Sequence, residues 1–162
     1  MLLIRAATDT DQDSILEIYN EAVLNSTATF DTEPRSHEKQ YQWFHSHKEN
    51  HPVIVAEENG SITGWASLSS WSDKKAYDTT VEVSVYVHVD HRGKGIGKKL
   101  LQIITLEGKK TKNHTAISRI AADNKVSLHI HEQIGYRHIG VFKEAGMKFG
   151  KYIDVYLMQY LY

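Results

Sequence analysis

The sequence predicts a mixed α/β (α+β) domain in which six to seven strands form a twisted, mostly antiparallel sheet flanked by about four helices. Two apolar segments around Glu58-Asn59-Gly60-Ser61 predict a β-hairpin. From Val81 to Val89, valines alternate with other residues, and a glycine-rich turn and a helical pattern follow. Because residues 1–162 contain no linker, repeat or low-complexity segment, we expect one domain.

The first half of the chain predicts three strands and two helices. Leu2 to Arg5 read as a short strand, and Thr8 or Asp9 caps a helix whose apolar residues have helical spacing up to Val23. A polar loop over 25–34 carries one aromatic residue, Phe30. The remaining predicted elements of this half are a helix over 38–49 and hairpin strands over 53–56 and 62–68.

The second half predicts four strands, two helices and one strand–helix–strand crossover. After a polar loop over 70–78 come the valine strand, a helix over 96–110 and a strand over 115–122. The inner face of that helix is expected to carry Leu100, Leu101, Ile104 and Leu106. A helix over 125–134 ends at Gly135, and strands over 136–143 and 152–160 form a hairpin around residues 145–150.

Composition excludes several kinds of chemistry. Without cysteine there are no disulfides, thiolate metal sites or cysteine nucleophiles. The formal net charge of −1 gives no reason to expect nucleic acid or an anionic membrane as partner. No apolar stretch approaches the roughly 20 residues needed to span a bilayer, and residues 1–5 lack a signal-peptide pattern, so a cytoplasmic protein is expected. The spacing of His45, His47 and His51 repeats no metal-ligand motif, so no metal is expected.

A basic, glycine-rich turn between the valine strand and the next helix predicts a phosphate-binding site. Glycines leave backbone N–H groups unshielded, and those groups point out of the positive end of the helix. The glycines are Gly93, Gly95 and Gly97, and the surrounding cations are Arg92, Lys94, Lys98 and Lys99. The spacing matches neither a P-loop nor a dinucleotide fingerprint. The alternative is a simple turn with a solvated basic patch.

The pattern Arg92-x-x-Gly95-x-Gly97 resembles the acyl-CoA loop of the GNAT family of N-acetyltransferases. Asn124-x-x-Ser127, with His131 seven residues after the asparagine, looks like a second family segment in which histidine replaces tyrosine. Three further segments resemble the phosphinothricin and methionine sulfoximine N-acetyltransferases within that family. They are Thr27 to Pro34, Ala76 to Val87 and Ala145 to Val155.

This resemblance implies the GNAT fold and a homodimer. It also implies an enzyme that uses acetyl-CoA to acetylate the α-amino group of a small amino-acid-like acceptor. Phosphinothricin and methionine sulfoximine or sulfone are the implied acceptor types. Ser72 stands where such enzymes usually carry arginine, and Tyr152 stands where they have tryptophan, so the identity of the acceptor is left open. The alternatives are a protein or peptide N-acetyltransferase and a non-catalytic acyl-CoA-binding sensor.

Two residues are predicted to carry the catalysis. Glu82, alone among valines, is the expected general base for the acceptor ammonium, directly or through a water, and partial burial would raise its pKa. His131 is expected to protonate or hydrogen-bond the leaving thiolate. The alternatives are a solvated strand glutamate and, in a chain with ten histidines, a bystander imidazole.

The remaining predicted site residues bind the two substrates. The backbone of the valine strand would pair with the pantetheine arm as an added strand, and Asn124 either bonds a pantetheine amide or caps its helix. The predicted acetyl-CoA contacts are Val85, Tyr86, Val87, Arg92, Gly93, Lys94, Gly95, Ile96, Gly97, Lys98, Asn124 and Ser127. The predicted acceptor contacts are Phe30, Lys74 and Tyr77, joined by residues of a second subunit.

Overall fold

A computed structural model describes all 162 residues and contains seven strands and four helices. The strands are β1 (Leu2–Ala6), β2 (Val53–Glu58), β3 (Ser61–Ser70), β4 (Thr80–Val87), β5 (Thr115–Ala121), β6 (Arg137–Lys148) and β7 (Lys151–Leu161). The helices are α1 (Gln12–Asn25), α2 (His37–Ser46), α3 (Ile96–Lys110) and α4 (Lys125–Ile134). All strands join one sheet in the order β1-β2-β3-β4-β5-β7-β6, which confirms the predicted fold class.

The sheet separates at its centre. Every neighbouring pair is antiparallel except β4 and β5, which the crossover through α3 makes parallel. β3 pairs with β4 from Val81 to Val87, whereas β5 pairs with β4 only from Thr80 to Glu82. The edge of β4 that faces β5 therefore has no partner strand beyond Glu82, and a cleft opens between the two strands.

Helix α3 covers the valine face of the sheet. Leu100, Leu101 and Ile104 are fully buried against it. Gly64 in β3 permits this close approach, because a Cβ there would lie 2.9 Å from the Tyr86 carbonyl oxygen and 3.0 Å from Leu100 Cδ1. Leu106, predicted on the inner face, is instead 51% exposed.

The opposite face of the sheet packs against α1 and the aromatic side of α2. Tyr19 of α1 lies against Trp65 and Tyr86, with ring centroids 6.2 and 5.3 Å away. The Arg35 guanidinium stacks over the Tyr19 ring at 4.1 Å. The loop after α1 packs on this aromatic cluster.

None of the helices has the length and apolar character needed to cross a membrane.

Two predicted strand ends differ from the structure. β4 ends at Val87, because the His88 ring accepts the Asp90 N–H and turns the chain, which leaves Val89 47% exposed. The last hairpin turns only at Phe149-Gly150. Its strands are longer than predicted because β6 contains a bulge, where the Asp154 carboxylate accepts the Glu144 N–H at 2.8 Å.

Candidate active site

The cleft between β4 and β5 continues into a cavity of about 620 Å³. Its walls come from β4, β5, the start of α4 and the last hairpin, and its roof is the loop after α1. It brings together seven of the predicted site residues, which are Phe30, Glu82, Val85, Tyr86, Asn124, Ser127 and His131. Two predicted acceptor contacts, Lys74 and Tyr77, do not line it.

Glu82 lies at the last position of β4 that pairs with β5. It forms an ion pair with a residue of β5 that the sequence did not reveal. Arg119 of β5 donates from Nε and Nη2 to the two Glu82 carboxylate oxygens, each at 2.6 Å. This ion pair raises the pKa of Arg119. The prediction that Glu82 stands alone among the valines of its strand did not include this partner from β5, whose guanidinium holds the carboxylate in one orientation.

His131 is buried and neutral. Its Nδ1 lies 2.7 Å from the Ser127 carbonyl oxygen; since a carbonyl can only accept, Nδ1 carries the proton and Nε2 the lone pair. Burial lowers the pKa of His131 to about 4. The predicted proton donation to the thiolate does not fit this state, in which the free ring nitrogen accepts hydrogen bonds.

The roof of the cavity is residues 27–34, tied down from three sides. Thr27 Oγ1 donates to Asp123 beside α4 at 2.7 Å, and Lys148 Nζ of β6 donates to the Thr29 carbonyl at 2.8 Å. The Phe30 ring lies directly against Gly146, where a Cβ would sit 2.2 Å from Phe30 Cε2. The loop is therefore positioned by side chains from distant parts of the chain.

Two tyrosines complete the roof contacts from below. The Tyr19 hydroxyl bonds the Asp31 carboxylate and lies 3.0 Å from Thr29 Oγ1, while Tyr86 donates to the Ala28 carbonyl at 3.3 Å. Burial raises the pKa of both phenols, so they are neutral donors.

The glycine-rich turn has the conformation expected of a phosphate site. Gly93 and Gly95 have φ of 76° and 79°, and a Cβ on either would meet no atom within 4 Å. Gly95 caps α3, whose first N–H groups lack partners within the helix. Ile96 is buried in the core and offers only its backbone. A Cβ on Gly97 would lie 3.5 Å from Val87 Cγ2, an ordinary contact distance.

Two cations of this turn form contacts within the chain, and a third is exposed to solvent. Arg92 donates to the Val87 carbonyl at 3.1 Å and pairs with Glu21 of α1, and Lys94 donates to the Asp90 carbonyl at 3.0 Å. These contacts fix the shape of the turn. Lys98, by contrast, is exposed on the first turn of α3.

Asn124 uses its side chain as a helix cap. Its Oδ1 accepts the Ser127 N–H at 3.1 Å, while its amide nitrogen makes no hydrogen bond within the chain. The capping alternative is therefore present, and a donor still faces the cavity.

Two of the three histidines considered for a metal, His45 and His47, have other partners. His45 lies 2.8 Å from Asp9, and His47 bonds the Trp43 carbonyl and Ser69. No group of three or more acidic or histidine side chains is placed to hold a metal ion.

Comparisons with known proteins agree with this geometry. The Acetyltransferase (GNAT) domain family matches residues 4–157. An L-amino acid N-acyltransferase of Escherichia coli is 38% identical over 96% of this chain and 91% of its own, and an L-methionine sulfoximine/L-methionine sulfone acetyltransferase of Salmonella typhimurium is 35% identical over 98% and 93%.

A solved structure shows the same architecture. The phosphinothricin acetyltransferase of Sinorhizobium meliloti in complex with acetyl-CoA superposes with a TM-score of 0.95, at 33% identity over 99% of this chain and 88% of its own. The motifs, the divided sheet and these comparisons lead to one conclusion: the chain belongs to the GNAT family of acetyltransferases.

Proposed function

We propose that this chain, as one catalytic domain over residues 1–162, transfers the acetyl group of acetyl-CoA to the α-amino group of a small amino-acid-like acceptor. The observation that carries the proposal is the cleft between β4 and β5, where an unpaired strand edge meets Glu82, with an open glycine turn following the end of β4. The relatives named for acting on L-amino acids, methionine sulfone and phosphinothricin support this acceptor class.

The residues of the cleft fit acetyl-CoA. The free edge of β4 at Val85 and Tyr86 offers backbone groups to an amide-bearing arm, as an added strand would use them. Gly93, Gly95 and the first N–H groups of α3 suit a phosphate, and the unpaired amide of Asn124 supplies a donor. Ser118 Oγ in the same cleft is buried without a hydrogen-bond partner. Bound there, acetyl-CoA supplies an electrophilic thioester.

Glu82 acts as the base. An amine with a pKa near that of lysine, about 10.4, is protonated at neutral pH, and only the neutral amine attacks. The Glu82 carboxylate faces the cavity and accepts the proton from the ammonium nitrogen, directly or through a water. The Nε2 lone pair of His131 accepts a hydrogen bond from a donor group of the ligand bound in the cleft.

The roof favours a small acceptor over a peptide. Phe30 and the loop that carries it close one side of the cavity, held by Lys148 and Asp123. Cavities of about 300–1,000 Å³ suit small molecules, and the volume here lies in that range. An extended peptide would have to displace this loop.

We also infer that the chain forms a homodimer through β6. This strand lies at the edge of the sheet, paired only with β7, and exposes Ile139, Phe142 and Met147 to solvent. Exposed apolar edge strands tend to associate. The cytoplasmic location stays a prediction from the sequence.

Release of free thiol from acetyl-CoA, with methionine sulfone, phosphinothricin and natural amino acids as acceptors, tests the reaction together with Glu82. Glu82→Gln keeps the shape of the side chain and removes the base, so kcat/KM at pH 7 should fall by at least about 10²-fold. The loss should shrink as the pH rises toward the pKa of the acceptor, and the affinity for acetyl-CoA should stay unchanged.

The matched control is Glu38→Gln at an exposed position of α2, which should keep full activity. If Glu82→Gln is folded by thermal melt and keeps the wild-type rate across the pH range, Glu82 is only a polar strand residue.

His131 should titrate near pH 4 rather than near 6.5. Because its pKa is lowered in the folded state, the unfolded chain takes up the proton first, and stability drops as pH falls from about 6.5 toward 4. The full effect is about 3 kcal/mol. NMR of the imidazole ring and urea melts at pH 7 and 4.5 measure it, and His131→Gln should remove its share of the drop. A ring titration at 6.5 would contradict the buried neutral state.

Gly95→Leu should weaken acetyl-CoA binding, because a side chain would fill the open space above the turn. Loss of hydrogen bonds to a charged group costs about 1.5–3 kcal/mol, or roughly ten- to hundredfold in Kd. Gly60→Leu is the control, since Gly60 has the same φ of about 80° in open space on the β2–β3 turn and is not a predicted acetyl-CoA contact. Calorimetry should show weaker binding only for Gly95→Leu; equal affinity in both variants removes the turn from the site.

Light scattering should give twice the mass of the chain, and Ile139→Lys should shift the protein toward the monomer by placing a charge on the β6 face. Leu3→Lys, on the opposite edge strand β1 and about as exposed, should have no effect. A monomeric wild type, or equal effects of both variants, would rule out the β6 interface.

A further inference from the structure

Arg119 is the only cationic side chain among the residues that line the cavity. The acidic side chains there are Asp31 and Glu82, and Asp31 is bonded by Tyr19. The Arg119 side chain is 52% exposed, whereas its partner Glu82 is 20% exposed. The guanidinium is therefore the accessible member of the pair, with room for a second anion.

The polar loop over 70–78 supplies no cation to the lining of the cavity. Ser72 follows Trp71, and Lys74 lies outside the cavity. The Arg119 guanidinium instead reaches across from β5 and lies 5.5 Å from the Trp71 ring centroid. An aromatic face on one side and a carboxylate on the other fix the plane of the guanidinium fork.

The ion pair is complementary to an α-amino acid. A zwitterion carries its carboxylate and its ammonium on one carbon, so the two charges are side by side, as those of Arg119 and Glu82 are. A guanidinium binds a carboxylate through two parallel hydrogen bonds. At present both fork nitrogens are directed at Glu82, and both Glu82 oxygens are engaged by them.

We propose that Arg119 determines acceptor specificity by binding the α-carboxylate of the acceptor in exchange for Glu82. The exchange releases the Glu82 oxygens, which then take the proton from the α-ammonium nitrogen. The base is thus freed by the group that identifies the acceptor as an amino acid. The inference rests on the proposed function and adds to it the residue that selects for a free carboxylate.

The test compares two acceptors in two enzymes. The acceptors are L-methionine sulfone and the amine that lacks its carboxylate, and the enzymes are wild type and Arg119→Gln. Loss of the charged hydrogen bonds should lower kcat/KM for the amino acid by about ten- to hundredfold, with a much smaller change for the amine. The two acceptors differ in intrinsic reactivity. This difference cancels when their kcat/KM ratio is compared between the two enzymes. The KM for acetyl-CoA should not change.

A purely structural role gives a different result. If Arg119 only orients Glu82, Arg119→Gln lowers the rates with both acceptors by the same factor, and the inference is overturned. Arg119→Lys, which keeps the charge but loses the fork, should retain part of the preference for the amino acid. Lys109→Gln, at the exposed end of α3, removes a charge elsewhere and should behave as wild type.

The wild type alone separates this inference from the proposed function, even if Arg119→Gln folds poorly. Equal acetylation of amino acid and amine would overturn the role of Arg119 while the acetyltransferase activity stands. Absence of thiol release with every amine would overturn the activity itself, and the inference with it.

Discussion

Three residues of parallel pairing between β4 and β5 govern the architecture of the site. Because the pairing stops at Glu82, the backbone of β4 beyond it has unpaired groups on one side, and such groups require a partner. The same divergence opens the cavity, places Glu82 at its apex and lets Arg119 reach across from the neighbouring strand. If the strands paired along their full length, the cleft would close and these side chains would stand on a continuous sheet.

The charged groups in and beside this cavity each have a hydrogen-bond partner for which a polar ligand can compete. Glu82 is held by Arg119, Asp31 by Tyr19, and the Lys148 ammonium by the Thr29 carbonyl. Burial lowers the pKa of Lys148, so this carbonyl contact compensates a real desolvation cost. His131 avoids that cost by staying neutral. These side chains are therefore satisfied without a ligand, and a bound ligand can replace these internal hydrogen bonds with its own.

Local signals predicted most of the fold. The bounds of α3 and α4 agree with prediction because a glycine marks the start of α3 and another the end of α4, and the apolar residues of each helix follow one face. The last hairpin could not be placed correctly, since its bulge depends on Asp154 accepting from a residue ten positions earlier in the partner strand. Glu82 stood out through strand alternation, but Arg119 did not, because their contact depends on the register of two strands that are distant in sequence. The contact between Phe30 and Gly146 was missed because it joins a loop and a strand that are far apart in the sequence.

Because of that contact, the width of the cavity depends on the absence of a β-carbon at residue 146. Phe30 occupies the space where a β-carbon of residue 146 would be, so adding one methyl group there would push the ring toward the cavity without altering any group that meets a substrate. Acceptor size can then be tuned from the far strand, independently of the charges that carry out proton transfer. A lineage carrying this hairpin could broaden or narrow its range of acceptors through substitutions that leave the chemistry untouched.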